Sequence, residues 1–129
     1  MSSTMPSDVA AVIGQYPTRL LQVRDLIFDL ADKLDVGPLT ETLKWGEPAY
    51  LTEKTKAGST VRLAVKDGQP AVFFVCNSGL VEGFRADFPE LSYLGRRGIL
   101  LDERADDGLL ELCISRALTF HRNKKRAKT

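Results

Sequence analysis

The chain has 129 residues, of which 43% are hydrophobic and 27% charged, with a formal net charge of +1. This is the size and composition of one globular domain, and no apolar run approaches the roughly 18 residues of a membrane span. We therefore expect no membrane partner. Because the first residues lack the basic and apolar segments of a secretion signal, we also expect a cytoplasmic protein.

Two helices are predicted in the first third of the chain. Ser7 or Asp8 can cap a short first helix, and Pro17 suits the first turn of a second one. Gly37-Pro38 should end the second helix. Its apolar residues recur at three- and four-residue steps and predict a face that packs on a core: Leu20, Val23, Ile27, Leu30 and Leu34.

Residues 41–50 contain the only tryptophan of the chain, Trp45. We predict a short helical turn from Pro38 to about Gly46, after which Pro48 forces the residue before it into an extended conformation. Trp45 and Tyr50 would then flank the carboxylate of Glu47. This corner is either a small polar pocket or a chain reversal that aromatic packing stabilises.

The hydrophobic period changes to two after this corner, which predicts a β-hairpin. Residues 60–65 alternate, Asp67-Gly68 is a strong turn signal, and residues 71–76 form an apolar strand that should be central in its sheet. A two-residue loop would place Arg62 opposite Phe73, on the same face.

A helix, two short strands and a closing helix are predicted after the hairpin. The helix lies at residues 80–88, the strands lie at 91–94 and 98–101, and Asp106 or Asp107 caps the closing helix. The inward face of the closing helix is predicted to consist of Leu110, Cys113, Ile114, Ala117 and Leu118. This order of elements predicts an α+β two-layer domain.

The net charge is unevenly distributed along the chain. Residues 1–121 carry 13 basic and 17 acidic side chains, whereas residues 122–129 carry five basic and no acidic ones. We predict a single domain over residues 1–129, with a core at about 8–121 and a solvated basic tail at 122–129. Five charges without interleaved aromatic residues are a weak signal, so we expect no nucleic-acid partner.

The cysteines and the only histidine do not form a predicted site. Cys76 and Cys113 both lie in apolar segments, so we expect buried, unpaired thiols. His121 would continue the inward stripe of the closing helix. One histidine without a second ligand at suitable spacing predicts no zinc site.

Three carboxylates lie on one side of the second predicted helix, away from its apolar face. Asp25, Asp29 and Asp32 have the spacing that can share a hard cation. Arg24 and Lys33 lie close by, which favours the alternative of a solvated charged face. The two interpretations are a metal site and an ordinary helix surface.

The best candidate binding site is a set of polar and aromatic side chains on strand edges and turns: Trp45, Glu47, Tyr50, Arg62, Tyr93 and Arg97. An arginine against an apolar strand face needs a carboxylate partner, and for Arg62 we predict Glu47. The pair either ties the corner to the sheet or helps the arginines to receive a small anion. No catalytic residue is predicted, because the sequence has no phosphate loop, dinucleotide fingerprint or nucleophile elbow.

Several motifs resemble the YdhG-like family, a bacterial domain family of unknown function. The clearest is Glu-Thr-Leu-Lys-Trp-Gly-Glu-Pro-Ala-Tyr-Leu-Thr at residues 41–52, and others lie at 58–62, 84–89 and 117–122. The resemblance covers residues 17–125. It implies helices that cover one side of an antiparallel sheet, and some members are described as frataxin-like iron chaperones.

We therefore expect a non-enzymatic YdhG-like module that binds a small molecule or a protein and needs no cofactor. The first alternative is a frataxin-like protein that binds iron through Asp25, Asp29 and Asp32. The second is an enzyme that acts on a small anion with Glu47 as its base.

Overall fold

The computed structural model describes residues 5–127. The helices in this range are Ser7–Ile13 (α1), Thr18–Leu34 (α2), Leu80–Asp87 (α3), Asp107–Leu118 (α4) and Phe120–Ala127 (α5). The strands are Thr40–Lys44 (β1), Glu47–Leu51 (β2), Val61–Lys66 (β3), Gln69–Phe73 (β4), Tyr93–Leu94 (β5) and Gly98–Leu100 (β6). None of the helices in this range has the length and apolar composition that a membrane span needs.

The six strands form one antiparallel sheet in the order β1-β2-β3-β4-β6-β5. Helices α2 and α4 lie side by side and pack on the sheet at β4 and β3. The α+β architecture with helices packed on an antiparallel sheet is thereby confirmed. The main core contains every residue that was predicted for the inward face of α4, and all five are fully buried.

The hairpin of β3 and β4 forms around the predicted turn. Asp67 and Gly68 have φ of 51° and 78°, which a two-residue hairpin loop requires at both positions. Arg62 lies opposite Phe73, as the sequence predicts. The second strand is shorter than expected: β4 ends at Phe73, and Cys76 begins a single 3₁₀ turn.

The helical turn predicted from Pro38 to about Gly46 is wrong. Residues 40–44 form β1, and Trp45-Gly46 is a two-residue hairpin turn with φ of 56° and 76°. This segment has no apolar stripe of helical period, and pairing with β2 satisfies its backbone instead. Pro48 lies opposite Leu43 in the ladder between β1 and β2, and it lies outside the ladder between β2 and β3, which begins at Ala49.

The prediction that His121 continues the inward face of the closing helix is also wrong. His121 is exposed: helix α4 ends at Leu118, and His121 lies in the first turn of the separate helix α5. The basic tail does not begin as a free segment: the Nη1 of Arg122 donates a hydrogen bond to the carbonyl of Leu34 at 2.8 Å. Residues 128 and 129 of the predicted tail lie outside the described residues.

A buried ion pair joins helix α2 to the first hairpin. The side chains of Arg24 and Glu41 are each 4% exposed, and Arg24 Nη2 donates to Glu41 Oε1 at 2.8 Å while its Nε donates to Oε2. The hydroxyl of Tyr50 donates to the same carboxylate at 2.8 Å. Glu41 therefore raises the pKa of Arg24, and burial raises the pKa of Tyr50.

This triad corrects the predicted corner. Glu41 and Tyr50 are directly opposite each other on β1 and β2, on the face that packs against α2. Side chains alternate along a strand, so Glu47 on β2 points to the other face of the sheet. Tyr50 therefore binds Glu41, and it does not flank Glu47 with Trp45.

We expect Arg24→Met to lower the free energy of unfolding by about 3–5 kcal/mol, because it leaves the Glu41 carboxylate buried without a counter-charge. The double variant Arg24→Met, Glu41→Gln should recover part of this loss. Urea unfolding measures all variants.

The matched control is Arg96→Met, which removes an exposed ion pair with Glu82 whose side chains are 67% and 45% exposed. Its cost should stay below about 1 kcal/mol. Equal losses for Arg24→Met and Arg96→Met would contradict a special role for the buried pair.

Candidate functional site

Three cations converge on one aromatic ring on the face of the sheet opposite the main core. The Arg62 Cζ and Lys66 Nζ atoms from β3 each lie 5.6 Å from the centroid of Phe73, and the Arg97 Cζ lies 5.8 Å from it. These distances are those of cation–π contacts. We call the face that carries these four residues the cationic face.

A small apolar cluster supports the ring from below. Ala64, Ala71 and Phe73 are buried together, and Leu94 and Leu100 pack against them. Phe73 lies opposite Gly98 on β6, where a Cβ atom would come within 2.9 Å of the ring. The glycine therefore lets the Phe73 ring lie close against β6. This packing fixes the position of the ring that the three cations contact.

Glu47 is the carboxylate of this site, and it pairs with two of the cations. Its Oε1 accepts a hydrogen bond from Arg62 Nε at 2.8 Å, and its Oε2 lies 3.8 Å from Lys66 Nζ. The predicted pair of Glu47 and Arg62 is thus confirmed. The two side chains are 18% and 25% exposed, so the pair is accessible to solvent, unlike that of Arg24.

Arg97 differs from its neighbours because no carboxylate binds it. Within residues 5–127 its side chain has no hydrogen bond or ion pair, and its contact is with the face of Phe73. Arg96 pairs instead with Glu82 at 3.0 Å, and Arg85 donates to the carbonyl of Gly95. The Arg97 guanidinium is therefore free to bind an anion in a bidentate way.

A cleft of about 500 Å³ lies beside these cations, within the size range of small-molecule sites. The residues on its walls that matter here are Trp45, Glu47, Arg62, Lys66, Cys76 and Arg97. The structure thus brings together four of the six predicted site residues. It adds a lysine and a cysteine that were not predicted to belong to the site.

Tyr50 and Tyr93, the other two predicted site residues, do not line this cleft. Tyr50 belongs to the buried triad, and the hydroxyl of Tyr93 donates to the carbonyl of Phe88 at 2.7 Å. The Arg85 guanidinium lies over the Tyr93 ring, and burial raises the pKa of Tyr93 to about 12. Both tyrosines therefore serve local structure.

The sequence contains signals for the residues that were missed. Lys66 follows Arg62 and Ala64 at a period of two, so it had to share their face of the strand. Arg24 lies four residues after Leu20 on the apolar face of α2, where a charge requires a buried partner. The exposure of Cys76 had no local signal, since it follows from β4 ending three residues earlier than predicted.

The three aspartates proposed for iron are exposed along α2, and Asp25 lies 3.8 Å from Arg24. In the part of the chain that the structure describes, no three His, Cys, Asp or Glu side chains are grouped to hold a metal ion. Asp25, Asp29 and Asp32 are thus spread along the helix and are not grouped around one point.

No protein-family model matches this chain, and neither do any curated proteins or solved structures. Its function is therefore inferred from the geometry of the site.

The two cysteines should differ in reactivity. Cys76 is exposed in the cleft, whereas Cys113 is buried and desolvation raises its pKa to about 12. We expect Ellman's reagent to modify Cys76 in the native protein at neutral pH and Cys113 only after unfolding in urea. Cys76→Ser should abolish the native reaction, and a reaction that persists in this variant would show that Cys113 is accessible.

The same burial predicts a loss of stability in alkali. The pKa of Cys113 rises from 9.0 to about 12 on folding, so the folded state favours the neutral thiol. This contribution is complete below about pH 9 and is lost as the pH rises towards 12. In urea unfolding, Cys113→Ala should show a weaker decline over this range than the parent chain, and an identical decline would contradict this assignment.

Proposed function

We propose that this protein is a non-enzymatic binding module that takes a small anionic ligand on its cationic face. The observation that carries this proposal is the Arg97 guanidinium, which is exposed at the cleft and bound by no carboxylate of the described chain. Arg62 and Lys66 lie over the same ring, so an anion beside Arg97 would also approach these two cations.

The charge distribution supports an anionic ligand. Residues 1–121 carry more acidic than basic side chains, 17 against 13, yet three cations meet at one ring with a single carboxylate among them. The one carboxylate balances only one of the three positive charges, so the group keeps a net positive charge that attracts an anion. Arginine is also the side chain that best matches a phosphate or carboxylate group.

The residues of the cleft favour binding over catalysis. Arginine and lysine keep their protons at neutral pH and are poor general bases. Glu47 is engaged by Arg62 and Lys66, so its role is to hold these cations in position. The lining residues include no histidine that could activate the thiol of Cys76.

We also propose that the chain is a cytoplasmic YdhG-like domain. The support is the motif at residues 41–52, together with the agreement between the sheet and helices that this resemblance implies and those of the fold. In this motif Trp-Gly forms the turn between β1 and β2, and Glu-Pro begins β2. Two unpaired cysteines support a reducing compartment.

Calorimetric titration with inorganic phosphate and pyrophosphate at constant ionic strength tests the binding proposal. We expect both anions to bind and Arg97→Ala to weaken them at least ten-fold, or about 1.4 kcal/mol, because the variant removes the unpaired guanidinium. The matched control is Arg96→Ala, which alters the adjacent residue of the same turn but does not touch the cleft.

The control should bind within two-fold of the parent chain. The proposal fails if neither anion binds, or if Arg96→Ala and Arg97→Ala lose affinity equally, since binding would then reflect overall charge. Circular dichroism of each variant verifies that the fold is retained.

A further inference from the structure

We propose that the anion bound at this site carries a flat aromatic ring, which stacks on the indole of Trp45 while the charged group contacts Arg97. The inference rests on the function proposed above and specifies its ligand: a small aromatic anion, with either a phosphate ester or a carboxylate as the charged group.

The first observation is the exposure of Trp45. Its residue surface is 88% exposed, far more than that of the other large hydrophobic residues at the surface of the described chain, of which Leu112 is next at 52%. A tryptophan offers the largest apolar area of any side chain, and folded proteins normally bury most of it. The packing of this domain does not use the indole.

The second observation is the backbone of Trp45. It occupies the first position of the β1–β2 turn with φ of 56°, a left-handed conformation that disfavours side chains with a Cβ atom. Asparagine followed by glycine is the preferred pair for such a turn. Neither the turn nor the core therefore requires tryptophan at position 45, and strained residues of this kind often lie at functional sites.

The third observation is the location of the indole. Trp45 lines the same cleft of about 500 Å³ as Arg62, Lys66 and Arg97. An exposed aromatic surface and a group of cations thus border one space. A ligand that fills this space with a ring and an anionic group would use both, since aromatic rings stack on tryptophan and anions bind guanidinium.

The charges of the protein favour a small molecule over a nucleic-acid strand. A strand needs a basic groove that follows several phosphates, but the chain up to residue 121 has an excess of acidic groups, and four of its acids lie on α2 or next to its end. All three cations of the cleft lie around the ring of Phe73. They can therefore bind one anionic group but not a row of phosphates.

Intrinsic fluorescence tests the stacking directly, because Trp45 is the only tryptophan of the chain. The probes are AMP and nicotinate, which combine a ring with an anion, adenosine, which has only the ring, and inorganic phosphate, which has only the anion. We expect AMP or nicotinate to quench the emission of Trp45 to saturation and to bind at least ten-fold more tightly than phosphate does by calorimetry.

The decisive variant is Trp45→Asn, which creates the Asn-Gly pair that this turn prefers and so should retain the hairpin. By calorimetry, its affinity for the tighter of the two aromatic anions should fall at least ten-fold, to about that of phosphate. Its affinity for phosphate should fall by a smaller factor than its affinity for the aromatic anion, because phosphate has no ring to stack on the indole. Arg97→Ala should weaken the aromatic anion and phosphate alike.

The outcomes separate this inference from the proposed function. If no anion binds the parent chain, the proposed function fails and the inference fails with it. If phosphate binds but neither aromatic anion binds more tightly, or if Trp45→Asn leaves their affinity unchanged, only the inference fails. A single-stranded oligonucleotide that binds more tightly than AMP would overturn the assignment to a small molecule. Tighter binding of AMP indicates a phosphate ester as the charged group, and tighter binding of nicotinate a carboxylate.

Discussion

The buried pair of Arg24 and Glu41 determines which way the first hairpin faces. Each side chain is 4% exposed, and a charge at that depth needs its partner. Because Tyr50 is opposite Glu41 and binds it, β2 must present Tyr50 to helix α2. A slip of one residue in the strand register would turn every side chain of β2 to the other face. The contact between Tyr50 and Glu41 therefore also fixes Glu47 on the cationic face.

The two ion pairs of the first hairpin therefore have different roles. The pair on the core side joins a helix to two strands and is closed to solvent. The pair of Glu47 and Arg62 is 18% and 25% exposed, and it leaves Arg62 beside an open cleft. Strand β2 thus contributes Tyr50 to the buried triad and Glu47 to the position of the cations. Because side chains alternate along the strand, these two residues lie on opposite faces of the sheet.

Local patterns predicted the parts of the fold that depend on neighbours in sequence. The hairpin around Asp67-Gly68 and the buried face of α4 follow from periodicity and turn chemistry. Strand β1 could not be predicted in this way, because it is only five residues long and the turn after it contains a tryptophan where asparagine is usual. The pair of Arg24 and Glu41 spans 17 residues, and no local pattern identifies which carboxylate is the partner. Arg97 reaches Phe73 only because β6 lies between β4 and β5.

The exposure of the cationic face sets limits on how it can bind. Arg97 keeps its hydration in the free protein, so the unpaired charge carries little cost there, and salt will screen its attraction for an anion. The contact with Phe73 adds roughly 0.5–1 kcal/mol at an exposed site, which orients the guanidinium but does not satisfy its donors. Charge alone therefore gives weak and unselective binding. Selectivity has to come from bidentate geometry at the arginines and from the apolar surface beside them, and the indole of Trp45 is the largest such surface that the cleft exposes.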